Sequence, residues 1–234
     1  MKIPRKIDDR LKDAIIQLRF EKVGEVEQVS ATFAEQMGTD FQEIEVPEAA
    51  EISAGNKEFI KVYIHKEGKY RLVLTDKAIS FNIVNGYVGW YQYSAFIKKT
   101  IRCLLDEGHY SELSTLGVRY ISIFDETPIF NNITPVISFS PLSQEAKNAQ
   151  FTIELDRSPH KVVVTLLNSI TRQIDGSNNV MFSVVDIDTS SPFRSSLFSV
   201  DAVMLKLNEC HNEQKEVFFS LLKEDFIKSL NPVY

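Results

Sequence analysis

Apolar and polar residues alternate along residues 14–20, "AIIQLRF": Ala14, Ile16, Leu18 and Phe20 fall on one face, Ile15, Gln17 and Arg19 on the other. That period of two predicts a half-buried strand. The period then changes. In "GEVEQVSATFAEQM" (24–37) the apolar Val26, Val29, Phe33 and Met37 recur at helical spacing, and Gly38 supplies a stop. Residues 40–56, with Pro47, several acidic residues and "SAGN", read as a loop.

Three strands follow. "FIKVYIH" (59–65) and "YRLVLTD" (70–76) flank "KEGK", a hairpin turn, and "AISFNIV" (78–84) comes after the polar Asp76-Lys77 break. "NGYVGW" makes a second turn. A helix over about 92–107 then carries Phe96, Ile97, Ile101, Leu104 and Leu105 in one stripe.

The second half repeats the order. It opens with the strand "LGVRYISIF", followed by a loop over 128–148. The strands "QFTIELD" (150–156) and "KVVVTLLNS" (161–169) flank "RSPH", and "NVMFSVVDI" (179–187) is the third. A helix over about 199–229 closes the chain, long enough that a kink or break is expected.

These elements predict one α+β domain over 1–234: a curved, mostly antiparallel sheet of about eight strands with helices on one side. "LRF" (18–20) matches "VRY" (118–120), and the order of elements recurs. An internal duplication, with halves of about 11–110 and 111–230, follows from that recurrence. The topology resembles the saddle of TATA-binding-protein-like folds. The alternative is a helix-grip fold, whose long last helix would leave a cavity for an apolar ligand.

Composition narrows the function classes. The 234 residues carry a net charge of −6, which argues against a nucleic-acid partner: the one locally basic stretch, "MKIPRKIDDRLK", is interrupted by Asp8 and Asp9. The two cysteines, Cys103 and Cys210, lie far apart and form no metal-ligand motif, so both read as buried, reduced thiols. No apolar run approaches a membrane span, and the first residues lack a signal-peptide core. A cytoplasmic protein without a cofactor is the expectation.

Candidate chemistry is sparse. Arg119 shares its strand face with Ile121 and Ile123, so it needs a carboxylate partner; Glu154, Asp156, Asp186 and Asp188 are the candidates. A pocket arginine that receives an anion or a peptide carboxylate is the functional alternative for Arg19 and Arg119, each followed by an aromatic, Phe20 and Tyr120. Those four acids also form two i, i+2 pairs, the basis of an alternative reading as a metal-dependent hydrolase or nuclease. His65 and His160 sit at hairpin turns and read as solvated. His109 follows a glycine helix stop, and His211 lies on the apolar stripe of the last helix as a core or interface histidine. Trp90 and Tyr91, in "NGYVGWYQY", are either packing anchors or a binding surface. No catalytic set emerges, since neither a nucleophile motif nor a phosphate loop is present.

Four stretches, "LKDAIIQLRF", "GYVGWYQYSAF", "LGVRYISIF" and "LNECHNEQKEVFFSLL", resemble a sporadically distributed bacterial family of roughly 250-residue proteins with no established activity. The likeness spans nearly the whole chain. Members of that family often read "LRYIN" where this chain has "VRYIS", with Ser122 in the asparagine's place. The resemblance implies a cytoplasmic accessory protein, with no catalytic residues to carry over. The expectation is a non-enzymatic binding or assembly module acting through a protein partner or as a homodimer.

Overall fold

A computed structural model describes residues 3–5, 7–8, 10–23, 26–44, 60–84, 86–105, 110–135, 148–174, 178–193 and 199–234. His109 and much of the 40–56 and 128–148 loops lie outside them. The elements are β1 (Leu11–Val23), α1 (Val26–Met37), β2 (Phe41–Ile44), β3 (Ile60–His65), β4 (Tyr70–Thr75), β5 (Ala78–Ile83) and α2 (Trp90–Leu105). They continue with β6 (Tyr110–Asp125), a 3-10 turn (Ile129–Asn131), β7 (Ala149–Arg157), β8 (His160–Ile174), β9 (Asn178–Pro192), α3 (Val200–Leu221) and α4 (Glu224–Ser229). The strands form an antiparallel sheet in the order β2-β3-β4-β5-β1-β6-β9-β8-β7. The fold is therefore α+β, with nine strands among the described residues rather than the expected eight.

The extra strand is β2, within the stretch read as a loop. It has four residues, and only Phe41 is buried. Its two apolar residues, Phe41 and Ile44, stand three apart and make no period of two; β2 exists because its backbone pairs with β3, Phe41 opposite His65 and Ile44 opposite Val62.

Two compact units make up the chain: a larger one of Asp13–Val118 with Ser190–Cys210, and a smaller one of Met1–Lys12, Arg119–Thr189 and His211–Tyr234. In the larger unit the register aligns Tyr63 with Leu72, Leu72 with Phe81, and Phe81 with Ile16. This row is buried on every strand. Helices α1 and α2 cover it. Phe33 of α1 packs on Tyr63 and Phe41, with ring centroids 4.7 and 5.4 Å apart. Phe96 of α2 stacks on Tyr70 at 4.2 Å and meets Phe81. The core is thus aromatic and sealed by polar tips: the buried Tyr93 hydroxyl lies 3.0 and 2.7 Å from the Ala14 and Phe81 carbonyls, and Tyr63 pairs with Ser30. Gly38 ends α1 where a side chain cannot fit, because a Cβ there would stand 2.2 Å from the Ala34 carbonyl oxygen.

The smaller unit is mostly aliphatic. Val162, Val164 and Leu166 of β8, Val185 and Ile187 of β9, and Val217, Leu221 and Leu222 join one core cluster with Phe124 and Phe219. The last helix does break, as its length suggests. The Leu221 carbonyl accepts from the Thr134 N–H, Leu222 forms a β-bridge with Ile133, and the Lys223 N–H donates to the Asn132 carbonyl. Backbone groups that would continue the helix are taken by a neighbouring segment, and α4 restarts after Lys223. His160 departs from expectation. It opens β8 opposite Arg157 and is buried, sharing the core-facing side of β8 with Val162 and Val164.

Candidate functional site

Both arginines lie on the strand faces opposite the buried rows, but their surroundings differ. Arg119 makes a bidentate pair with Asp186: Nε donates to Oδ1 at 2.9 Å and an Nη to Oδ2 at 2.6 Å. The Asp186 side chain is only 16% exposed, against 44% for Arg119. Desolvation has therefore fallen mainly on the carboxylate, and the planar guanidinium answers both of its oxygens. Of the four candidate partners the structure selects Asp186. Arg19 instead donates from Nε to the Gln17 amide oxygen at 2.6 Å, and Gln17 donates to the Ser80 hydroxyl at 3.0 Å. That chain ends on neutral groups at an exposed position.

The remaining acids are dispersed. Glu154 is in an ion pair with Lys161, 2.7 Å away, and both are well exposed. Asp156 stands opposite Lys161 in the β7–β8 register, and Asp188 is exposed on β9. Among the described residues, no group of three or more His, Cys, Asp or Glu side chains is placed to hold a metal ion.

Tyr120 follows Arg119 and points to the buried side. Its hydroxyl lies 3.1 Å from Nδ1 of His211 on α3, with the rings 5.8 Å apart. Burial pushes the His211 imidazole down to about 4, and the nearby Lys215 charge acts in the same direction. Burial lowers Lys215 as well. At neutral pH the ring is uncharged and hydrogen-bonds Tyr120, as a core histidine would. Cys103 and Cys210 are both buried and unbridged.

Trp90 and Tyr91 divide the two roles open to them. Trp90 is an anchor: its indole N–H donates to the Asn208 amide oxygen of α3 at 2.7 Å, and its ring meets Tyr93 edge-on at 6.3 Å. Eight residues along α2, Lys98 pairs with Asp201 at 2.8 Å. The contacts run 90 to 208 and 98 to 201, so the two helices lie antiparallel within the larger unit. Helical periodicity then fixes what stands beside those bonds. Tyr91 and Lys98 are seven residues apart and share a row on α2; Asp201, Leu205 and Asn208 share one on α3. Tyr91 is 87% exposed and Leu205 64% exposed. Two large apolar side chains are thus presented to solvent on the rows that tie the helices together. Leu205 was not singled out from the sequence, though it leaves a trace there: it is an apolar residue roughly opposite the α3 stripe of Val203, Leu207 and Cys210.

No known protein-family model matches the chain, and a comparison with curated proteins finds no similar sequence. Among the described residues, no helix is long and apolar enough to cross a membrane.

Proposed function

We propose that this chain is a non-enzymatic binding or assembly module that acts through protein–protein contacts. The observation that carries this reading is the α2–α3 rim. Among the described residues, Tyr91 and Leu205 are the two most exposed large hydrophobic side chains, and they stand on helices cross-linked by the Trp90–Asn208 and Lys98–Asp201 contacts. Exposed apolar residues on a rigid platform lose little conformational entropy on binding. Tyrosine is also among the residues enriched at interface hot spots. The residues with chemical potential are engaged structurally: Asp186 by Arg119 and His211 by Tyr120. The resemblance of the four sequence motifs to a family of accessory proteins agrees with the same role.

The test is site-specific photocrosslinking in the native host. A photoreactive residue at position 91 should trap a defined protein, while the same residue at Lys77, an exposed turn of the same unit, should not. Equal, diffuse labelling at both positions would contradict the reading.

A further inference from the structure

The sheet ends differently at its two sides. The β2 edge is four residues long, and Glu43 on it is ion-paired with Lys61. The β7 edge is nine residues long, Ala149–Arg157, with a β-rich sequence, AQFTIELDR. Proteins usually protect an edge of that length with a lysine, a proline, a bulge or a covering segment. Strand β7 contains neither lysine nor proline. Its one basic residue, Arg157, is turned to α3, where it pairs with Glu213 at 2.7 Å and Glu216 at 3.2 Å. Among the described residues, β7 is bonded as a strand to β8 alone. On its core-facing side, Phe151, Ile153 and Leu155 pack against the aliphatic cluster yet remain only partly buried.

We propose that β7 is a homodimerisation edge, which pairs antiparallel with β7 of a second copy about a two-fold axis through Ile153. This deepens the binding-module reading and rests on it. A two-fold perpendicular to the sheet keeps like faces together, so residue pairs must share parity. Complete overlap of the nine residues then permits one register, centred on Ile153. In that register Phe151 meets Leu155 of the mate and Ile153 meets Ile153, which continues the apolar row across the junction. On the other face Glu154 meets Thr152 and Asp156 meets Gln150, so every carboxylate faces a neutral polar group. Moving the centre by one residue to Glu154 would set that carboxylate against its own copy and leave two residues of each strand, Ala149 and Gln150, without a β7 mate. The charge pattern thus selects self-pairing in the register that also buries the most apolar surface.

The test is light scattering coupled to size exclusion across loadings of about 1 to 300 μM, with two substitutions at one exposed site. Thr152→Glu places like charges opposite each other at both symmetry-related pairs and should raise the dimer dissociation constant about tenfold. Thr152→Lys places a lysine opposite Glu154 of the mate and should keep or tighten the dimer. Both variants lose the same Thr165 contact, 3.2 Å in the native chain, so a general surface effect would move them together. A chain that stays monomeric throughout overturns the pairing, as does a dimer that Thr152→Glu and Thr152→Lys leave equally affected. A monomer that still crosslinks a partner through position 91 sinks the edge and leaves the rim; a β7-dependent dimer without that crosslink sinks the rim alone.

Discussion

Strands β1 and β6 read alike, with an apolar alternation and an arginine just before an aromatic, yet their arginines are held in different ways. Arg119 closes a two-bond pair on a largely buried carboxylate; Arg19 leans on a neutral amide in solvent. The lesson is that an arginine in a strand is explained by its cross-strand partner, not by its own neighbours in sequence. The same contrast extends to the cores. The larger unit packs rings whose polar tips reach backbone carbonyls, whereas the smaller packs mostly branched aliphatic chains and holds a part-buried histidine against Tyr120. Loss of a ring leaves a large cavity, while loss of an ion pair leaves a charge.

The largest effect should come from the aromatic side. Phe33→Ala removes a fully buried ring and should cost about 3–5 kcal/mol in urea unfolding. A cost under about 1 kcal/mol would mean that the ring stack collapses freely.

Next in size is a pH effect confined to the smaller unit. The folded His211 imidazole titrates near 4, below its ordinary value of 6.5. Between those values the unfolded chain binds the extra proton, so stability is fully present above pH 6.5 and falls as pH drops towards 4. The loss is at most about 3 kcal/mol. Urea midpoints at pH 7.5 and 5.0 should diverge for the native chain and converge for His211→Gln, after allowance for other groups common to both.

The arginine pair gives the finest contrast. Arg119→Ala leaves Asp186 largely buried without its cation and should destabilise by about 1–3 kcal/mol. Adding Asp186→Ala should recover part of that loss. Arg19→Ala should stay within about 0.5 kcal/mol. Equal effects at the two sites would remove the distinction between them.

Much of this fold is legible in the sequence because its elements are long and periodic. The buried faces of β1 and of both main helices follow directly from spacing. What escaped depends on partners distant in sequence. Strand β2 is made by pairing with β3. His160 is buried because the register sets it on the side of Val162 and Val164. The end of α3 is decided by residues 132–134, which take its backbone bonds. The choice of Asp186 among four acids likewise needed the order of strands. At the candidate site, Tyr91 was visible as an aromatic beside an anchor. Leu205 carried only the weak signal of standing off its stripe, since exposure is a property of the assembled helices.

The most direct test of the central claim, that this chain works by surface contact at the α2–α3 rim, is quantitative affinity capture from native host lysate. Three proteins of matched folded fraction should be compared: the native chain, Tyr91→Ala/Leu205→Ala, and Arg119→Ala. A stoichiometric partner should be retained by the native chain and by Arg119→Ala, and its capture weakened about tenfold or more by the rim variant. Capture that survives the rim variant and is lost with Arg119→Ala would contradict it and move the binding site to the sheet.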